Sequence, residues 1–272
     1  RLAESWPISY SNVPSSCFYP LYNVPAPYKE SIYVGYRYYL SAGIPTLFPF
    51  GHGLNYSRIS FKNLEVSKGE IAEGEKIEVT VSIHNLSRYQ TKEVVQLYIE
   101  PHVHNAFKPL RELKEFAKVS LESNETKTVK MTLTYRDFAH FDVESNSFVV
   151  ENGKYDIQIG YSSEKILLSK TIAITKGVEV KDLSHQLPSY YTFNDKSLFV
   201  PGDMEFESLL GHRVKHQKAG YIGQFTLETP LKDFSDTFIG KKISAAYKAH
   251  IDPSLADSIQ KTKYANEMRM PS

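Results

Sequence analysis

From Ile59 to about Thr175 apolar residues recur at every second position, and that period is the strongest constraint on what the chain can fold into. KIEVTVSIHN (Lys76–Asn85) alternates through Ile77, Val79, Val81 and Ile83. EVVQLYIE (Glu93–Glu100) sets Val95, Leu97 and Ile99 on one side, and KTVKMTLTY (Lys127–Tyr135) does the same with Val129, Met131 and Leu133. Successive strand residues point to opposite faces, so each segment predicts a strand with one face buried. SFVVENGKYDIQIGYS (Ser147–Ser162) reads as strand, turn, strand, with Asn152 and Gly153 suited to the positive φ of a tight hairpin. ILLSKTIAI (Ile166–Ile174) closes the series. Short strands separated by turn residues predict an antiparallel sandwich of immunoglobulin-like type.

The flanks follow other rules. Residues 1–58 are rich in Pro, Tyr and Ser, with one convincing apolar segment, SIYVGYRYY (Ser31–Tyr39). They hold too few apolar positions to bury a core alone and read as the end of a domain whose larger part lies upstream. Residues 59–176 are the sandwich. Residues 177–272 read as helical. VPGDMEFESLLG (Val200–Gly211) has Asp203 as an N-cap and Gly211 as the stop. TPLKDFSDTFIGKK (Thr229–Lys242) has Thr229 as cap, Pro230 at the first helical position and Gly240 past the end. DPSLADSIQKTKYANEMRM (Asp252–Met270) carries a third helix behind an Asp-Pro cap. These helices are expected to lean on the sandwich or on a larger neighbour.

Charge narrows the partners. The net charge is +1, which argues against the basic face a nucleic-acid-binding protein needs and against a membrane surface as partner. No apolar run reaches transmembrane length. The single cysteine, Cys17, allows no intrachain disulfide, so the fold rests on apolar burial; a reducing, cytoplasmic compartment fits, and so does bacterial secretion, where many proteins also lack cysteines. With 19 Tyr against 1 Trp, the aromatic content tilts toward sheets and carbohydrate-type surfaces.

Between flank and sandwich lies LFPFGHGLNYSRISF (Leu47–Phe61). His52 between Gly51 and Gly53 suits an active-site loop, or a buried imidazole bonding backbone groups where two domains meet. A lone histidine needs partners to do chemistry, so the expectation is a joint filled by Phe48, Phe50, Leu54 and Tyr56. Other candidates yield to similar weighing. Glu112 and Glu115 have odd spacing, which puts them on opposite faces of a strand, among Arg111, Lys114 and Lys118 on a solvated edge. His102 and His104 have the i, i+2 spacing of metal ligands, but they lie in a loop between Pro101 and Pro109 with no third ligand at a recognisable spacing. Asn55-Tyr56-Ser57, Asn85-Leu86-Ser87 and Asn124-Glu125-Thr126 match the glycosylation triplet and are read as turns. No catalytic, cofactor-binding or metal-binding residue is assigned.

The segment YVGYRYYLSAGIPTLFPFGHGLNYSRISFKNL resembles the junction of glycoside hydrolase family 3, the β-glucosidase and β-xylosidase family, departing at Asn55 where Ser is usual. EVVQLYIEP, RELKEFAKVSLES and YRDFAHFDVESNSFVVENGKYDIQIGYSS resemble the fibronectin type III-like domain that follows that junction. RLAESWP resembles the family's Gly-Arg/Lys-Leu-Pro-Glu-Thr-Phe-Pro segment, with Ala3 for Pro and Trp6 for Phe. The tail from Leu187 is similar, more loosely, to an extension of some bacterial members. The resemblance implies that residues 1–58 are the C-terminal remnant of an α/β sandwich domain. It also implies a retaining β-glucosidase that uses no cofactor and takes a β-glucoside or oligosaccharide substrate. The family's nucleophile, in a Ser-Asp-Trp type motif, and its acid/base, in a Glu-Gly-x-Asp-Arg type motif, belong to an N-terminal barrel and the α/β domain. Neither motif occurs here, so the chain alone is expected to be inactive. Two alternatives stay open: a free-standing fibronectin-like module that binds carbohydrate or a partner through Tyr190 and Tyr191, and a member whose barrel follows the sandwich.

Overall fold

Alternation in these strands is paired off as the period demands. The computed structural model describes residues 1–16, 27–193, 199–214 and 237–242. The chain divides into two compact units, Arg1–Pro14 with Lys29–Leu209 and Ser15–Tyr28 with Leu210–Ser272. The first unit opens with β1 (Trp6–Pro7), α1 (Tyr36–Ser41) and β2 (Thr46–Phe48), β1 and β2 pairing antiparallel. The sandwich follows as β3 (Ile59–Val66), β4 (Lys76–Asn85), β5 (Thr91–Pro101), β6 (Glu112–Leu121), β7 (Thr126–Thr134), β8 (His140–Asp142), β9 (Ser147–Val149), β10 (Gly153–Gly160) and β11 (Ile166–Ile174). Behind it come α2 (Pro188–Tyr191) and α3 (Asp203–Leu210).

Two antiparallel sheets, in the orders β3-β4-β7 and β11-β10-β5-β6, face each other. Ile77, Val79, Val81 and Ile83 from one sheet and Val95, Leu97 and Ile99 from the other are buried in one cluster with Val129, Met131 and Leu133. The alternating apolar positions are therefore the core. Asn85 closes a tight corner: its Nδ2 donates to Tyr89 O and Glu122 O, both at 2.8 Å, and its Oδ1 accepts from Ser87 N at 3.0 Å. Asn55 likewise accepts from Ser57 N, and Asn124 sits at φ +58°, so all three glycosylation-type triplets lie at turns.

Asn152–Gly153 is not a hairpin turn. β9 pairs with β8, while β10 pairs with β5 and β11. Asn152 Oδ1 accepts from Gly177 N at 2.6 Å, tying the chain to the strand's exit. Gly153 is needed for close approach, because a Cβ there would stand 2.0 Å from Val103 Cγ2. Periodicity identified the strands but not which neighbour each one meets, and the turn chemistry of Asn-Gly serves a crossing as well as a hairpin.

A second core lies outside the sandwich. Tyr33, Tyr38, Tyr39, Ala42 and Ile44 from the leading segment pack with Leu183, Leu187, Tyr190 and Phe199 from the tail. The two segments tie reciprocally: Tyr33 OH donates to Tyr190 O at 2.8 Å, and Tyr190 OH donates to Lys29 O at 2.7 Å. The leading segment does bury a core, then, but with residues almost 150 positions downstream. In α3 Asp203 is the first helical residue rather than the cap, and it pairs with Lys29. Glu205 accepts from Gly202 N instead, and Gly211, at φ +70°, ends the helix as expected. In the second unit Gly240 lies within a helical turn over 238–242, where Thr237 Oγ1 accepts its N–H at 3.0 Å. It is not a C-terminal stop. Thr229, Pro230, the helix expected over Asp252–Met270 and Cys17 lie outside the described residues.

His140, on β8, has both ring nitrogens buried and, among the described residues, unpartnered. Burial holds its pKa down to about 4, and the Lys108 ammonium adds to the shift against the opposing charges of Asp142 and Glu112. The folded value lies below the ordinary one of about 6.5, so the folded state resists protonation and loses stability as pH falls from about 6.5 to about 4. His140→Leu is expected to flatten that limb of a Tm-against-pH curve, and an unchanged acid limb would count against the assignment. In the second core, Tyr190→Ala is expected to cost about 3 kcal/mol in urea unfolding and Tyr190→Phe about 1 kcal/mol.

Candidate functional site

The Phe-Gly-His-Gly turn is seated on the outer face of β5. That strand is buried continuously from Val95 to Ile99, which a one-faced strand would not be. Its inward residues meet the sandwich core; of its outward residues, Gln96 meets the turn and Tyr98 meets Tyr36 of α1. Gln96 Nε2 donates to Gly51 O at 3.2 Å and to Tyr161 O at 2.7 Å, while its Oε1 accepts from Tyr98 OH at 2.6 Å. One amide thereby makes three hydrogen bonds, to Gly51, Tyr161 and Tyr98. Gly51 makes this approach possible. Its φ is +80°, and a Cβ on it would fall 2.0 Å from Gln96 Oε1.

Further ties fix the turn's orientation. Ser163 N donates to Phe50 O at 2.9 Å, and the Phe50 ring stacks on Tyr36 with centroids 4.6 Å apart. Leu2 N donates to His52 O and Gly51 N donates to Leu2 O, so the opening residues form a short ladder against the turn. Arg1 donates to Gly53 O at 2.8 Å, pairs with the buried Glu93 and lies over the Tyr161 ring. Asn55 donates to Glu93 Oε2 at 3.2 Å and accepts from Thr91 Oγ1 at 3.2 Å. At a position where the family motif usually has Ser, Asn supplies both donor and acceptor to β5.

These contacts seat the segment on the sandwich, with two corrections to its expected construction. The His52 ring is only half-buried and lies tilted against Phe48 at 5.1 Å; its backbone, not its imidazole, makes the hydrogen bonds. Leu54 and Tyr56 do not fill the joint, being 95% and 98% exposed. Gln96, Tyr98, Tyr36 and Arg1 fill it instead. The one sequence signal for them was a Gln and a Tyr alternating with the apolar face of β5, both large for a solvent-facing side.

The other candidates disperse. β6 is an edge strand, as its charges suggested, but a β-bulge opposite Leu97 and Tyr98 breaks the simple alternation. Glu112 and Glu115 stand opposite Ile99 and Leu97, so odd spacing no longer assigns them to opposite faces. Glu112 pairs with Arg37 at 2.9 Å and Lys114 at 3.0 Å, and Glu115 accepts from Phe116 N. His102 Nε2 lies 3.2 Å from Asp156, whereas His104 faces a separate cavity, so the two rings do not converge. Among the described residues no group of three or more His, Cys, Asp or Glu gathers to hold a metal. Tyr190 is fully buried and Tyr191 packs on Phe107, so these two do not form the exposed aromatic patch the binding-module alternative requires.

Comparison with known proteins agrees with this geometry. Residues 93–163 match the fibronectin type III-like domain. The chain is 35% identical over 215 residues to thermostable β-glucosidase B of Acetivibrio thermocellus, a match covering 79% of this chain and 28% of that protein. It is 35% identical over 174 residues to an exo-α-(1→6)-L-arabinopyranosidase of Bifidobacterium breve, covering 64% and 23%. The crystal structure of β-glucosidase 3B from Thermotoga neapolitana with α-D-glucose superposes with a TM-score of 0.58 at 35% identity, covering 65% of this chain and 25% of that one. The chain thus spans about a quarter of the length of the relatives it matches. These matches are consistent with a C-terminal portion of a family 3 glycoside hydrolase that includes the fibronectin type III-like domain.

Gly51→Val is expected to cost about 3 kcal/mol in urea unfolding through the strained φ and the collision with Gln96. Gly51→Ala and Gln96→Ala are expected to be non-additive by more than about 0.5 kcal/mol, since the second relieves the collision made by the first. Additive losses would disprove the contact. Leu54→Ser with Tyr56→Ser is expected to leave the unfolding midpoint unchanged while lowering binding of a hydrophobic dye.

Proposed function

We propose that this chain is the scaffold portion of a retaining β-glucosidase that hydrolyses terminal β-linked glucose in a longer polypeptide. Residues 1–58 would be the end of an α/β sandwich domain with its junction, 59–176 the fibronectin type III-like domain, and 177–272 a C-terminal extension. The observation that carries this is the seated turn: its inner side is locked to β5, while Leu54 and Tyr56 stand almost wholly exposed. Two large apolar side chains held outward on a rigid turn suit coverage by another domain. Trp6 and Leu47, both on the β1–β2 ribbon, are exposed as well.

On this reading the chemistry is divided. Retaining hydrolysis needs two carboxyl groups about 5 Å apart, one attacking the anomeric carbon and one protonating the leaving oxygen. Both would come from the barrel and the α/β domain, and no cofactor is involved. This portion would contribute by position. A sandwich that cannot slide against the junction holds the last α/β segment, and with it the acid/base loop, within the narrow geometry that displacement requires. Names of relatives support a glycoside substrate, and glucose is favoured because most of the named relatives are β-glucosidases.

Two measurements test the division. The purified chain is expected to release no 4-nitrophenol from its β-glucoside above the buffer rate, and enzyme-like turnover would overturn the proposal. A chimera in which this chain replaces the matching portion of the Acetivibrio thermocellus relative is expected to hydrolyse the same substrate. A folded but inactive chimera would also count against it.

A further inference from the structure

We propose that a cavity between the second core and the loop joining β5 to β6 is a binding site for a small phenol, a single aromatic ring carrying one hydroxyl. It holds about 140 Å³. Its walls come from three separate stretches of chain: Tyr33 from the leading segment, Phe107 and Lys108 from the loop, and Tyr191 and Phe193 from the tail. His104 stands exposed at its mouth.

Size and shape set the first limit. An apolar cavity of about 150 Å³ takes up benzene, so this open pocket has room for one six-membered ring. The wall rings already meet at steep angles: Tyr33 and Phe193 are T-shaped at 4.6 Å, and Phe107 and Tyr191 meet edge to face at 5.9 Å. An entering ring can extend that edge-to-face array.

Hydrogen bonding sets the second limit. The polar atoms of the walls are turned into the protein. Tyr33 OH donates to Tyr190 O, and Tyr191 OH donates to Asn105 O at 2.8 Å while accepting from Leu183 N at 3.3 Å. Ser41 Oγ donates to Arg37 O at 2.7 Å and accepts from Leu110 N at 3.0 Å. Lys108, with its side chain 7% exposed, is tied to Glu151. A pyranose would find these side-chain hydroxyls already engaged, so its own hydroxyls that face the walls would lose water with little replacement. The lining residues include no carboxylate for a cation, and the lysine an anion would seek is engaged.

His104 remains. Among the described residues its ring has no hydrogen-bond partner. Burial of its inner side, with the Lys108 charge, keeps its pKa below the ordinary range, so at neutral pH it is an uncharged imidazole with a free nitrogen acceptor. A ligand with an apolar body and one hydroxyl at its rim matches this layout, the body among the rings and the hydroxyl on His104 at the wet mouth. The inference stands apart from the hydrolase proposal, because no residue of the cavity belongs to the joint.

The test is NMR of the full chain titrated with phenol. Saturable shifts of the His104 ring signals are expected, with nuclear Overhauser contacts from phenol ring protons to Phe107 and Phe193. Ala106→Leu, which narrows the cavity, is expected to abolish both with the remaining spectrum unchanged. Should that variant misfold, the wild-type Overhauser contacts still decide. His104→Ala is expected to weaken phenol about fivefold while leaving benzene unaffected, as loss of one hydrogen bond would. Non-saturable shifts, contacts to other residues, binding that survives in a folded Ala106→Leu protein, or equal saturation by glucose would each overturn the proposal.

Discussion

The carboxamide of Gln96 is the contact on which the arrangement of this chain depends. It is buried on a sheet face that would otherwise be solvated, and it makes its three hydrogen bonds only when the Gly51 turn, Tyr98 and Tyr161 are all in place. A buried amide with unmet hydrogen-bonding groups is costly, so the turn and the sandwich stabilise each other or neither is well placed. Because the partners come from an incoming segment, a central strand and the end of β10, the network converts two adjacent pieces of sequence into one body. Gly51 allows the backbone to come close enough, and Glu93, earlier on the same strand, is likewise held by Arg1 and Asn55.

The second core completes this body from the other end of the chain. Tyrosines dominate it because each ring supplies apolar area while its hydroxyl reaches a carbonyl across the seam, as Tyr33 and Tyr190 do reciprocally. The tail up to α3 is thus more than an appendage to the sandwich: it packs on the leading segment in a shared core. Held by both, the leading segment still leaves Leu54 and Tyr56 almost wholly exposed, with Trp6 and Leu47 partly so. Those exposed side chains link the local packing to the proposed role in a larger enzyme.

Much of the sandwich was legible in the chain. Period-two alternation placed the core residues of β4, β5 and β7 because burial of one face is a local property of a strand. Its limits were local as well. Asn152–Gly153 carries hairpin chemistry, yet the strands on either side pair elsewhere, since pairing depends on partners distant in sequence. The spacing of Glu112 and Glu115 was misjudged because a bulge adds a residue that no sequence period announces. His102 and His104 share a loop, but one reaches across to Asp156 and the other faces a cavity built by the tail.

By itself the sequence determined that an antiparallel sandwich stands at the centre, that its flanks obey different rules, and that the Gly-His-Gly segment is a turn suited to close approach by another segment. These follow from side-chain periodicity and from glycine's access to positive φ, both written within a few residues of one another. Only the tertiary structure decided what that turn packs against and that leading segment and tail share a core. Those outcomes rest on hydrogen bonds and ring contacts between residues tens to more than a hundred positions apart. Such contacts leave no pattern along the chain, because their energy is realised only when the outer face of β5 is already formed and a turn is there to cover it.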